Sequence, residues 1–505
     1  MGHISRHSAV FFLGTLFTAA AGYLFKIYVA RVLGAGALGV YALGMTLVGF
    51  FGLFNGLGLP QTAVRFVAAY SATQQYQRLH AFFRQALILL AVANLALAGT
   101  LILVGPWIAR NLYHSSDLAH YLRWFAGLLA LGGFTAFMGQ VLAGYKDVAL
   151  RTVITNFIGS PLNIILGVIL LAGGMGLRGY VLAQVAGGFI VLCLLCAAAW
   201  RLTPAAARHF PSKAPRVESE VFWFSAAVFG VGFLEFLLGQ ADKIMLGIFL
   251  DVRQVGIYAV AASLVAFVPV ALQTVNQIFS PTIADLHARG EHALLGRIFQ
   301  TLTKWIIGLT LPLAFVMMVD SKPLMRLFGP AFEAGWIVLV LGTVGQLVNA
   351  GVGSVGYLLL MSGNQRRLIR VQTMTAVFML VLTAALVRPF GIIGVALAAA
   401  LTNALTNFLC LREVQSALQL SPYNRTYLRL LLPGSASLAA VLCLRALGAA
   451  FHPEWIPIGV ALVIAYVTFC GLSLIVGLDD DDRMIVTAIQ RRLLGAVGRN
   501  PSALQ

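Results

Sequence analysis

Glu235, Asp242 and Lys243 interrupt an otherwise apolar helical run. At the centre of a bilayer one such charge costs about 2.5–3.5 kcal/mol on insertion scales, so each needs a partner, a hydrated cavity or a role. Glu235 and Asp242 are seven residues apart and share one helical face, with Gly239 between them. A carboxylate shielded from water is harder to ionise and can exchange protons near neutral pH, as an ion-coupling site requires. The structural alternative is a carboxylate bonded to a basic residue of a neighbouring helix. Lys243 has a counterpart in Lys26, which follows Thr15, Thr18 and Gly22 on one face of the first apolar run. Two ammonium groups facing a common cavity would attract a phosphate or pyrophosphate. Both also stand near a helix end, from which a lysine can snorkel to the interface. Asn55, Gln61, Gln140, Asn163, Gln273 and Asn276 punctuate other apolar runs, where they either line a hydrated cavity or bond between helices.

The elements that carry these residues are repeated. Gly39-Val40-Tyr41-Ala42 pairs with Gly256-Ile257-Tyr258-Ala259, and 256 minus 39 gives the same 217 as 243 minus 26. A second pair, Gly176-Leu177-Arg178-Gly179 and Gly391-Ile392-Ile393-Gly394, opens the sixth and twelfth apolar runs. A spanning helix needs about 20 mostly apolar residues. Fourteen such windows are expected, at 8–33, 38–64, 83–109, 118–144, 149–172, 177–201, 221–249, 255–281, 293–319, 332–360, 367–388, 391–412, 428–450 and 456–477. Spans one to six then correspond to spans seven to twelve. Six is even, so the halves share one orientation, with a central site expected between them. The expected division is an N-lobe at 1–202, a Pro-rich cytoplasmic linker at 203–220, a C-lobe at 221–413, two further spans within 414–477 and a tail at 478–505. Pro60, Pro161, Pro269 and Pro281 are expected to bend or end spans.

The fold class is therefore an all-α integral membrane protein. The 505 residues are 60% hydrophobic and only 10% charged, well below the roughly 25% charged residues of a soluble surface. The first run reads as an uncleaved span because its repeat partner is internal. Lys and Arg outnumber Asp and Glu by 34 to 17, a balance that points to basic cytoplasmic loops and anionic lipid rather than to nucleic acid. With the N-terminus inside, 23 of the 34 basic residues fall in cytoplasmic segments. Both termini are accordingly expected in the cytoplasm, with the chain passing repeatedly through the cell's cytoplasmic membrane. In the tail, Asp479 to Asp482 precede an amphipathic pattern ending at Arg491 and Arg492, which suggests a surface helix. No metal site is expected at these aspartates, because no second ligand cluster accompanies them. Cys193 and Cys196 lie in an apolar run, away from redox or zinc chemistry. Two Gly-x-Gly-x-x-Gly matches, beginning at Gly34 and Gly351, follow no strand and carry no dinucleotide reading.

Ala30-Arg31-Val32-Leu33-Gly34 with Gly39-Val40-Tyr41-Ala42, and Ala241-Asp242-Lys243-Ile244-Met245-Leu246-Gly247 with Val255-Gly256-Ile257-Tyr258-Ala259, resemble the polysaccharide transporter family. These are flippases of lipid-linked oligosaccharides, including O-antigen units, in the multidrug/oligosaccharidyl-lipid/polysaccharide exporter superfamily. The resemblance implies two six-helix lobes in a MATE-like V, a cationic cavity and alternating access. It also implies a non-enzymatic transporter that needs no cofactor beyond an H+ or Na+ gradient or the membrane potential. By the same resemblance Lys26, Arg31 and Lys243 would hold the isoprenoid phosphate or pyrophosphate, and Glu235 and Asp242 stand as ion-coupling residues. The expected partners are the lipid-linked oligosaccharide, membrane lipids and glycan-assembly enzymes. Two other functions compete. One is a cation-coupled multidrug exporter, which would use the acidic pair. The other is a membrane scaffold for glycan assembly that transports nothing.

Overall fold

The computed structural model describes residues 2–56, 58–208, 239–448, 455–477 and 479, with positions 225, 229, 233, 236 and 482 between them; side chains are described from residue 18. Every regular element among them is helical. A helix satisfies its own backbone, as an apolar medium demands. Among the described residues ten helices are long and apolar enough to cross a membrane, or eleven if one bent pair counts as a span. The chain is a multi-span membrane protein.

Several expected spans are broken, each at an identifiable residue. The first helix, α1 (Gly2–Gly56), departs from helical geometry at Gly34, where φ is 74°. It is followed by α2 (Leu59–Ala72), which starts beyond Gly58 with Pro60 in its first turn, so the expected second span becomes two pieces. α3 (Tyr76–Asn111) and α4 (Ser116–Gly144) are continuous. α5 (Val148–Ala172) contains a π-helical stretch at Val153–Gly159 just before Pro161. α6 (Gly176–Leu202) closes the first set. After a helical segment at 239–249 come α7 (Val252–Val265) and α8 (Val270–Ala288), bent by 51° across a break that ends at Pro269. Pro281 lies inside α8 without ending it. Then follow α9 (His292–Val319), α10 (Trp336–Val352) and α11 (Gln365–Leu418). α11 is broken at Gly391, with φ 56°. The last two helices are α12 (Leu431–Gly448) and α13 (Trp455–Val476).

By compactness the chain divides into Val10–Gly256 and Ile257–Gln505, the latter taking in Met1–Ala9. This division falls later than the expected linker because the 239–256 stretch packs within the first unit. A side chain at Gly247 would meet the Tyr113 ring at 2.6 Å. The first unit has a core of Phe66, Phe82, Phe137 and Leu195. The second has one of Phe279, Phe299, Leu358 and Val414. Between membrane helices such packing, rather than release of water, supplies the cohesion.

The glycines of the paired motifs have distinct local geometry. Gly176 and Gly391 take matching positive φ values of 54° and 56°, a conformation that favours glycine. Gly39 and Gly256 meet backbone to backbone inside the first unit: a Cβ on Gly256 would strike Ala35 O and lie 2.8 Å from Gly39 N, and one on Gly39 would strike Val252 O. Tyr41 joins the two motif sets. Its hydroxyl donates to Gln184 Oε1 at 3.1 Å, and its ring lies 4.9 Å from that of Tyr180.

Candidate functional site

Lys26 stands on α1, eight residues before the Gly34 break, with an exposed side chain. Lys243 lies near the end of the 239–249 helix, half-buried, and its Nζ donates to Gln240 Oε1 at 2.8 Å. The two ammonium groups belong to one compact unit. Among the described residues the ammonium hydrogen bond of this pair goes to a neutral amide, that of Gln240. Gln240, three residues before Lys243, lay outside the sequence expectation, although its i,i+3 spacing signals such a pair. Arg31 is exposed five residues beyond Lys26 and makes interactions of its own.

The expected coupling pair is described in part. Glu235 lies outside the described residues. Asp242 is half-buried, and its Oδ1 accepts the backbone N–H of Lys243 at 2.8 Å.

The amides divide into occupied and unoccupied groups. Gln140 Oε1 accepts from Arg151 Nη1 at 3.1 Å, so this side chain serves a helix contact. Gln61 and Gln273 are exposed. Asn55 is buried; its Nδ2 donates to Leu129 O at 2.8 Å, while its Oδ1 accepts nothing. The Oδ1 atoms of Asn163 and Asn276 are likewise buried and unpartnered. Asn55 and Pro60 are related to Asn276 and Pro281 by an offset of 221, so each half carries an asparagine with an orphaned carbonyl oxygen five residues before a proline. The 217 offset of the tyrosine motifs hides this pair, because four residues intervene. Asn55 and Gln61 line a cavity of about 330 Å³ in the first unit. Asn276 and Gln273 belong to the second unit.

A charged cluster at the end of α13 is the feature that sequence patterning missed. Beyond Val476, Gly477 (φ 91°) turns the chain, and Asp479 and Asp482 reach α9. Lys304 Nζ donates to Asp479 Oδ2 at 3.0 Å and Asp482 Oδ2 at 2.7 Å, and Trp305 Nε1 donates to Asp482 Oδ1 at 2.8 Å. Arg429 pairs with Asp479. These oxygens are thus committed to ion pairs and to the indole; the amphipathic stretch after them lies outside the described residues. Burial alone would raise the Asp482 carboxyl, but bonds from Lys304, Trp305 and the Asp479 amide, with the Lys304 charge, hold it below the ordinary carboxylate value. A depressed value in the folded state stabilises docking at every pH above the unfolded value of about 3.9. That stabilisation is lost only as pH falls through the lower, folded value. The protection of a peptide covering residues 476–482 against hydrogen exchange, relative to its intrinsic rate at each pH, should therefore be high and constant from neutral pH down to mild acid. In Asp482→Asn it should be low throughout, with a loss of about 1–3 kcal/mol.

Residues 4–287 match the family described as polysaccharide biosynthesis protein. The chain is 24% identical over 410 residues to the "probable low-salt glycan biosynthesis flippase Agl15" of Haloferax volcanii, covering 80% of this chain and 82% of that protein. Its fold resembles the lipid II flippase MurJ in an inward closed conformation, with TM-score 0.73, 13% identity, and 92% and 98% of the two chains covered. It also resembles an inward-facing multidrug resistance MATE family transporter of the MOP superfamily, with TM-score 0.65, 15% identity, and 79% and 95% covered.

Proposed function

This chain belongs to the polysaccharide biosynthesis protein family, and on that premise we propose that it is a flippase for a lipid-linked oligosaccharide in glycan biosynthesis. The observation that carries this reading is the family match over residues 4–287; Lys26 and Lys243, two cations placed in one compact unit, suit a doubly charged anion such as an isoprenoid pyrophosphate. A multidrug exporter of cations would meet repulsion at the same place. Transport makes and breaks no covalent bond, so the protein acts as a carrier rather than an enzyme.

The mechanism is alternating access between the two repeat halves. Counting the bent pair once and dividing α1 at Gly34 and α11 at Gly391 gives thirteen spans among the described residues; the proposed fourteenth is the apolar window at 221–249, most of which lies outside them. An even number puts both termini on one side, and the basic loops put that side in the cytoplasm. The lipid-linked glycan is made on the cytoplasmic leaflet, bound with its phosphate at Lys26 and Lys243 and within reach of Arg31, and released outside. Its isoprenoid tail stays in the bilayer throughout. Glu235 and Asp242 are the proposed coupling carboxylates, with an H+ or Na+ gradient or the membrane potential as the driving force. Asp242→Asn should reduce gradient-driven translocation on the order of tenfold, equivalent to about 1.4 kcal/mol, and leave slow downhill exchange intact. Equal loss of both modes would assign Asp242 to structure instead.

Deletion of the gene tests the function in the cell. Lipid-linked oligosaccharide should accumulate facing the cytoplasm while surface glycan disappears. Unchanged surface glycan, with increased sensitivity to cationic dyes, would favour the multidrug reading.

A further inference from the structure

We propose that the cavity beside Asn55 is a subsite for one sugar ring of the translocated glycan, an assignment that rests on the flippase reading above. The cavity, about 330 Å³, lies at the low end of the roughly 300–1,000 Å³ typical of small-ligand pockets. It suits one ring and not a whole oligosaccharide.

Its emptiness arises from two glycines. A Cβ on Gly52 of α1 or Gly132 of α4 would meet no atom within 4 Å. Packing requires glycine at two other lining positions: a Cβ on Gly58 would strike Ser225 O, and one on Gly133 would lie 2.8 Å from the Asn55 amide. Steric crowding therefore explains Gly58 and Gly133 but not Gly52 and Gly132. Glycine within a helix is less favourable than alanine by about 0.5–1 kcal/mol, and here the missing side chains keep a space open.

The chemistry of the wall selects the occupant. Among the described lining residues none is charged, so those residues match neither a phosphate nor a cation. Asn55 Oδ1 is a buried acceptor without a donor, a state that costs about 1–3 kcal/mol. An alkyl or isoprenoid chain has no proton to offer it, whereas a sugar hydroxyl does. Gln61 adds a second amide able to donate and accept. Phe229 supplies an apolar wall, its ring 5.4 Å from that of Phe54, against which the C–H face of a sugar can lie. Neutral amides converging in a mainly apolar pocket are the pattern of orientation-specific recognition of a neutral polar ligand.

The test uses the full-length purified protein and two probes: an isoprenoid pyrophosphate carrying the oligosaccharide, and the same lipid without sugar. The wild type should bind the glycosylated probe about tenfold tighter, or about 1.4 kcal/mol. Gly132→Leu and Gly52→Leu place their side chains in the open space; both should fold normally and lose that preference while binding the sugar-free lipid as before. Asn55→Leu removes the orphaned acceptor together with the Nδ2 bond to Leu129 O; its folded fraction should lose the preference while binding the sugar-free lipid as before. A wild type with no preference, or filled variants that keep it, overturns the subsite. Equal loss of both probes in both folded glycine variants also overturns it, since the cavity would then hold the lipid. Leaflet exchange by the wild type is measured in parallel. Its absence alongside an intact sugar preference would remove the flippase reading and leave the subsite standing.

Discussion

Reversing both charges, Lys26→Glu with Lys243→Glu, should abolish translocation of a lipid-linked oligosaccharide while leaving the protein folded. The two ammonium groups form the proposed anion site, and reversal replaces attraction by repulsion for every anionic substrate. Truncating a hydrogen-bonded charge pair costs about 2–5 kcal/mol or more, so a hundredfold or greater loss is expected from about 2.7 kcal/mol upward. The single variants Lys26→Gln and Lys243→Gln should show smaller, separate losses, and arginine at either position should retain most activity. Lys243→Gln also tests the role of Gln240, whose Oε1 orients the ammonium. If both lysines merely snorkel toward lipid head groups, substrate affinity in the double variant would match the wild type.

Gly256→Val should be the most damaging single substitution for folding. Its Cβ would overlap Ala35 O and approach Gly39 N at 2.8 Å, and these are backbone atoms that cannot swing aside. Overpacking ordinarily costs about 1–3 kcal/mol; a backbone-to-backbone contact that must be pried apart is expected at or above that range. Gly39→Val should behave the same way, through Val252 O. Gly36→Ala is the control, since nothing lies within 4 Å of that position. Size-exclusion profiles and thermal unfolding of the detergent-solubilised protein should show loss of the folded species for the first two and none for the control. A stable Gly256→Val protein would mean that the two tyrosine motifs do not meet as described.

Much of this was legible in the sequence, for physical reasons that differ by element. Long apolar runs announce spanning helices because lipid leaves the backbone no other partner. The uninterrupted helices α4 and α9 fall within two residues of expectation, whereas α3 begins seven residues before the expected 83–109 span. Breaks were harder to read, because a glycine inside an apolar run gives no sign of whether its φ is positive. Gly34 and Gly391 break their helices, whereas Gly36 does not. The repeat singled out Lys26 and Lys243, and both fall within one compact unit. It did not disclose the Asn55–Asn276 relation, which needs a different offset. The role of the tail aspartates was hidden for another reason: Lys304 lies 175 residues before Asp479, a contact that no local pattern encodes. Spacing also could not separate Gln140, already engaged by Arg151, from Asn55, whose carbonyl is left without a donor.

The most direct test is leaflet exchange by the purified protein in liposomes that contain a fluorescent isoprenoid pyrophosphate oligosaccharide. The label should become accessible to an impermeant quencher or glycan-modifying enzyme at a rate that scales with protein content. That rate should fall at least a hundredfold when Lys26 and Lys243 are both replaced by Glu. An exchange rate equal to that of protein-free liposomes, from protein that is folded and inserted, would contradict the flippase assignment and favour a non-transporting scaffold.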